Sequence, residues 1–229
     1  MTNLEKSTII IILIILLIIG SLIYIGMPKY KEIEYITLAN TSIGTVEVGV
    51  AGNESATTCI ALITGIHPRE TLSIEPEIQA AKEFANDDVK IIHYKVTVTD
   101  NPHDYNTGRA NGERLINEYV NQNVTQSDAD AVIISHSHIP EYGVGFYLAT
   151  PEMDDESVNV AEKISNASDF NYYPVKGNET YKSTSAKLVS KPIAQSGYPT
   201  FVYEIPEDIS QRTATDKTKE LFNLIVQNI

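Results

Sequence analysis

The chain has 229 residues, 42% of them hydrophobic and 21% charged, which are the proportions of a folded domain and not of a disordered segment. Its net charge is −13 and its pI about 4.7, which speaks against a nucleic-acid partner and suits either solubility or the attraction of cationic substrates. Cys59 is the single cysteine, so no intramolecular disulfide can form. Its apolar setting, Cys59-Ile-Ala-Leu-Ile, marks a small buried side chain.

Residues 7–28 carry no charge, and their centre, 9–19, is almost pure Ile and Leu. At about 1.5 Å per residue such a stretch spans the ~30 Å hydrocarbon layer of a bilayer. No small-residue cleavage site follows before Gly26-Met27-Pro28-Lys29. The expectation is an uncleaved transmembrane signal anchor over 1–28, ahead of one domain over 29–229. Lys6 on one side and Lys29 and Lys31 on the other leave the positive-inside rule nearly balanced. Five Asn-x-Ser/Thr sequons follow the anchor, at Asn40, Asn53, Asn123, Asn166 and Asn178. They favour a single-pass protein of the cell membrane whose C-terminal domain is extracytoplasmic and glycosylated.

Beyond the anchor, 32–38 and 42–50 read as strands separated by the turn Ala-Asn-Thr-Ser. The continuous apolar run 57–64 reads as a buried strand. Leu72, Ile74, Ile78, Ala81 and Phe84 recur at helical spacing and predict a helix over 70–84. A β-branched strand follows over 89–98, then a helix over 107–120 that contains Gly108 and Gly112. Strands at 131–135, 143–149 and 200–205 and helices at 158–164 and 214–226 complete the domain. Strands alternating with helices predict an α/β layout around a central sheet.

Functional side chains in such sheets gather where strands end and loops begin. His67, His136 and Glu204 each fall at or just past the end of an apolar run. His67 and Glu70 lie in Gly-Ile-His-Pro-Arg-Glu, where Pro68 disfavours a helical turn at His67 and leaves Glu70 in the first turn of the next helix. His136 and His138 are two apart and point the same way in an extended strand, so either is available as a ligand. Glu204, after Phe-Val-Tyr, is a carboxylate in an otherwise buried run, where desolvation raises its pKa toward that of a general acid/base. Two imidazoles and a carboxylate hold a zinc ion with one position left open, and a second carboxylate then handles a water proton. Arg109, in Thr-Gly-Arg-Ala-Asn-Gly-Glu-Arg-Leu, has the donors for an oxyanion or a carboxylate.

The order of these motifs is His-x-x-Glu after a strand, Asn-Pro and an Arg, His-Ser after an apolar strand, and a Glu ending a late strand. It resembles the zinc carboxypeptidase superfamily, and within it the succinylglutamate desuccinylase/aspartoacylase-like branch, over residues 57–206. The resemblance implies a three-layer α/β/α fold with a mixed sheet. It implies Zn2+ held by His67, Glu70 and His136, with Glu204 as acid/base and Arg109 on the scissile carbonyl. It also implies a substrate-contacting tyrosine at Tyr181. The activity it implies is cleavage of an amide bond in a peptide or N-acyl amino acid, which the expected location makes a candidate cell-wall fragment. The family carries an Asp before the third ligand, as in Asp-x-His-Ser, whereas Ser135 precedes His136 here. No Asn-Arg pair for a substrate carboxylate stands at the family's spacing; Asn111, Arg114 and Asn117 are the nearby substitutes. These departures leave open an alternative, a catalytically degenerate domain that keeps the fold and binds a ligand or partner.

Overall fold

The computed structural model describes Ile10, residues 12–18, 32–173 and 183–229. The chain divides into two units, Met1–Lys31 and Glu32–Ile229. In the first, Ile10 and residues 12–18 are helical with exposed aliphatic side chains. The rest of the predicted anchor lies outside the described residues, among which no helix is long and apolar enough to cross a membrane.

The second unit is built on one eight-stranded mixed sheet. Its strands are β1 (Tyr35–Asn40), β2 (Gly44–Ala51), β3 (Thr58–Thr64), β4 (Val89–Val98), β5 (Ala131–His138), β6 (Tyr147–Ala149), β7 (Asn171–Tyr172) and β8 (Thr200–Pro206), in the order β1-β2-β4-β3-β5-β8-β6-β7. The four central strands, β4, β3, β5 and β8, run parallel, while β1, β2 and β6 join by antiparallel pairing. The helices are α1 (Glu75–Phe84), α2 (Tyr105–Leu115), α3 (Asp155–Ala167), α4 (Lys191–Gln195) and α5 (Gln211–Val226). α2 runs on through a π-helical turn, Ile116–Val120, and a last α-turn, Asn121–Val124.

Side-chain alternation along the strands divides the core into two faces. Ile60, Leu62, Ile133, Phe201 and Tyr203 pack with Ile78 of α1, Ile164 of α3 and Leu221 and Phe222 of α5. Ala61, Ile63, Val132 and Ile134 pack on the other side with Leu115, Ile116, Val120, Val189 and Ile193. The result is three layers, α/β/α, as the resemblance implied. Two elements lie beyond the predicted ones: the short strand β7 and the helical stretch made of the π-turn Ala186–Ser190 and α4.

The sheet has its switch point at β3. From β3 the chain crosses to β4 on one side, and from β4 it returns across β3 to β5 on the other. A crevice therefore opens between the carboxyl ends of β3 and β5, the place where ligands bind in open α/β sheets.

Candidate metal centre

Three segments meet at that crevice. The first is the loop after β3. Gly65 has φ +80 and approaches β4 so closely that a Cβ there would lie 2.0 Å from the carbonyl oxygen of Val96. Only glycine fits this turn, and the turn carries His67 over the sheet edge. Glu70 does not open α1 as expected. It precedes a separate 3-10 turn, Thr71–Ser73, and its carbonyl accepts from both the amide and hydroxyl of Ser73. α1 begins only at Glu75, where Pro76 supplies a first-turn residue with no N–H to satisfy. The second segment is β5, which extends three residues past the predicted end and pairs with β8 through His138 and Pro206. The third is β8, whose Glu204 lies directly across from His136.

His67 Nδ1 lies 2.7 Å from Glu70 Oε1 and 3.0 Å from His136 Nδ1, and His136 Nδ1 lies 2.9 Å from Glu70 Oε2. The ligand atoms of His67, Glu70 and His136 all lie within 4.8 Å of one another. Two imidazole nitrogens 3.0 Å apart, each against an oxygen of one carboxylate, form a cluster that a shared proton or a cation can hold together. Tetrahedral zinc with bonds of about 2.0–2.1 Å spaces its donors about 3.3 Å apart, so a few tenths of an ångström of opening seats the ion.

The electrostatics point the same way. Burial alone would raise the pKa of Glu70. His136 and His67, by charge and hydrogen bonds, outweigh burial and hold the carboxyl far below its ordinary value. Burial works against protonation of His67, but its hydrogen bonds to the carboxylates of Glu113 and Glu70 reverse it and raise the imidazole's pKa. The pull that keeps a proton there serves a dication equally well.

Glu113 is a functional side chain that the sequence did not reveal. It is buried, and its Oε1 lies 3.4 Å from His67 Nε2, the ring nitrogen turned away from the cluster. A carboxylate at that nitrogen fixes the tautomer and orientation of a metal-ligating imidazole. Arg109, one helical turn earlier on α2, donates from Nη1 to His67 Nδ1 at 2.9 Å and to Glu70 Oε1 at 3.1 Å. Gly112 lets this helix come down on the loop, since a Cβ there would stand 1.9 Å from the carbonyl oxygen of Ile66. Glu113→Ala is expected to weaken metal binding by about 10–100-fold, read by competition with a chelator. Unchanged affinity would remove Glu113 from the centre.

Glu204 is pushed up to about 7, chiefly by burial, with His136 opposing and Glu70 adding to the rise. It lines a cavity of about 690 Å3 together with His67, Glu70, Arg109 and His136. His138 also lines the cavity, yet its ring nitrogens face the carbonyl oxygens of Ile139 and Gly145, each at 3.0 Å, and not the cluster. Asn111 donates to the carbonyl and side chain of Asp100, and the exposed Arg114 pairs with Glu118 at 2.7 Å; neither lines the cavity. Tyr181 lies outside the described residues. Ser135 points to the opposite face of the sheet and is fully buried.

A scan against family models and a search of curated proteins found no match. Solved structures do match. A metallo-carboxypeptidase from Burkholderia cenocepacia is 16% identical with a TM-score of 0.58, over 86% of this chain and 65% of that one. A proposed carboxypeptidase A from Shewanella denitrificans is 15% identical with a TM-score of 0.60, again over 86% and 65%. The product-bound cell shape determinant protein Csd4 from Helicobacter pylori is 11% identical with a TM-score of 0.51, over 85% and 54%. The chain thus spans just under two thirds of the length of the two carboxypeptidases. At these identities the likeness is one of architecture, and the chain shares the fold of these carboxypeptidases.

Proposed function

We propose that this protein is a zinc-dependent hydrolase of amide bonds in peptides or N-acyl amino acids. The observation that carries the reading is the convergence of His67 Nδ1, His136 Nδ1 and the Glu70 carboxylate in a cavity that also holds Glu204. Two nitrogens and a carboxylate are a donor set suited to zinc with an open position. A dication held there supplies Lewis-acid polarisation of a carbonyl and a more acidic water.

The chain's own residues supply the rest. Glu113 holds the ring of His67 from behind. Glu204, desolvated and facing the cavity, takes the proton of the attacking water and returns it to the leaving amine. Arg109 now donates to atoms that a metal would claim, which frees its guanidinium for the oxygen on which charge develops. Asn111 and Arg114 stand away from the cavity, so no carboxylate clamp of the exopeptidase kind is assembled from them. This favours internal amides over a strict C-terminal preference. It is also the observation on which the non-catalytic binding alternative stands.

The location belongs to the same proposal. The uncharged aliphatic run at 9–19 and the exposed aliphatic side chains of residue 10 and residues 12–18 support a membrane anchor. Exposure of Asn40, Asn53, Asn123 and Asn166 suits an extracytoplasmic, glycosylated domain. A cell-wall peptide suits that placement.

Full-length protein is expected to bind about one zinc per chain, measured by elemental analysis after dialysis. The double variant His67→Ala/Glu70→Ala is expected to bind none. Full zinc retention by that variant would overturn the centre.

A further inference from the structure

Among the described residues, three glutamates line the cavity: Glu70, Glu204 and Glu207. The first two have roles in the proposed chemistry, and Glu207 has none. It is exposed, and among the described residues it forms no ion pair. Its position is nonetheless fixed. Ser137 Oγ donates to Glu207 Oε1 at 3.0 Å, and the Glu207 amide donates to the carbonyl of His138 at 2.9 Å. Ser137 is in turn tied to the centre, since its amide donates to Glu70 Oε2 at 3.3 Å.

The two oxygens of Glu70 therefore separate two opposite charges. Oε1 faces Arg109, and Oε2 faces His136 and Ser137, behind which stands Glu207. A cation lies on one side of the cluster, and on the other a carboxylate with no ion pair among the described residues. Glu207 stands three residues beyond Glu204 on the chain leaving β8, and its charge adds to the rise in the pKa of Glu204. Glu204 delivers the proton to the leaving amine in the mechanism above, and Glu207 lines the same cavity three residues further along the chain.

We propose that Glu207, oriented by Ser137, is a specificity residue that selects substrates bearing an ammonium or guanidinium group on the amine side of the scissile bond. The inference rests on the hydrolase reading. It gives the overall charge of −13 a local purpose, because an acidic surface concentrates cations around a mouth that then binds one specifically.

The test uses zinc-loaded full-length protein and paired amide substrates that differ only in a free or acetylated side-chain amine on the leaving half. The free amine is expected to be preferred by roughly tenfold in kcat/KM, mostly through KM, as a charge-assisted hydrogen bond provides. Added salt should shrink the preference. In E207Q the ratio should fall to near one, and in E207K it should invert, with zinc content reporting that both variants are folded. Turnover without a preference, or a preference that survives E207Q, overturns the role of Glu207 and leaves the hydrolase reading standing. The same pairs of amines are also measured by calorimetry as product-like ligands. If no amide is cleaved, the hydrolase reading falls, while tighter binding of the free amine that is lost in E207Q still supports Glu207 as the selector. Equal binding overturns it.

Discussion

Glu204→Gln is expected to lower kcat by roughly 10²–10⁴-fold on any amide the parent cleaves, while zinc content stays near one per chain. The substitution keeps the size and hydrogen-bonding outline of the side chain but removes its capacity to take a proton. Glu204 is not among the converging ligand atoms; it sits across the strand pair from His136 and lines the cavity. Loss of turnover with metal retained therefore separates proton transfer from metal binding. The opposite pattern, in which zinc is lost and residual turnover scales with zinc content, would make Glu204 a ligand and leave the acid/base role empty. Unchanged kcat would exclude it from both.

The candidate metal centre was legible because its residues follow apolar runs that read as buried strands. His67 comes three residues after Thr64, the last of β3, and His136 and Glu204 face each other near the ends of β5 and β8. The same residues hid the true length of β5. Polar side chains at 135–138 interrupt the apolar pattern, but backbone pairing with β8 continues beneath them to His138. Functional residues on a strand end thus shorten the strand that a reader of hydrophobicity sees.

Glu113 was hidden for a different reason. It stands in a polar, glycine-containing helix, and nothing in its immediate neighbours distinguishes it from the exposed Glu118. Its spacing of four from Arg109 was the available signal, because both must then share one helix face. The helical stretch 186–195 was missed because it is short and contains Pro192, which at the first turn of α4 opens the helix and elsewhere would break it.

Glu77→Gln is expected to make the protein more stable at pH 8 by a few kcal/mol, with little difference near pH 4.5. Glu77 lies in the first turn of α1, beside Glu75. Its spacing from Ile74, Ile78 and Ala81 instead places it on the buried stripe, and it has no exposed surface. Ser135, Tyr203 and Thr218 face it from β5, β8 and α5, on the side of the sheet away from the metal centre. Thr218 reaches Oε1 at 3.5 Å, while Glu77 Oε2, Ser135 Oγ and Tyr203 Oη make no hydrogen bond among the described residues.

With no cation beside it, burial raises the carboxyl from 4.5 to about 8, and the hydroxyls of Ser135 and Thr218 restrain the rise only in part. In the unfolded chain the group loses its proton near 4.5; in the folded chain it keeps the proton to about 8. Between those values the folded state binds more protons than the unfolded state, so stability falls as pH rises through the window and is level outside it. Each unit of the gap is worth about 1.4 kcal/mol, which puts the full loss at roughly 4–5 kcal/mol as an upper bound. An amide at this position has no proton to lose, and its NH2 can donate to the unpaired oxygens of Ser135 and Tyr203. Urea midpoints of parent and E77Q measured from pH 4.5 to 8.5 decide the matter. A difference that grows with pH and then levels identifies Glu77 as a neutral acid locked behind β5 and β8. A loss of stability in E77Q that appears only as the pH rises above about 4.5 would mean instead that the folded protein needs the charge.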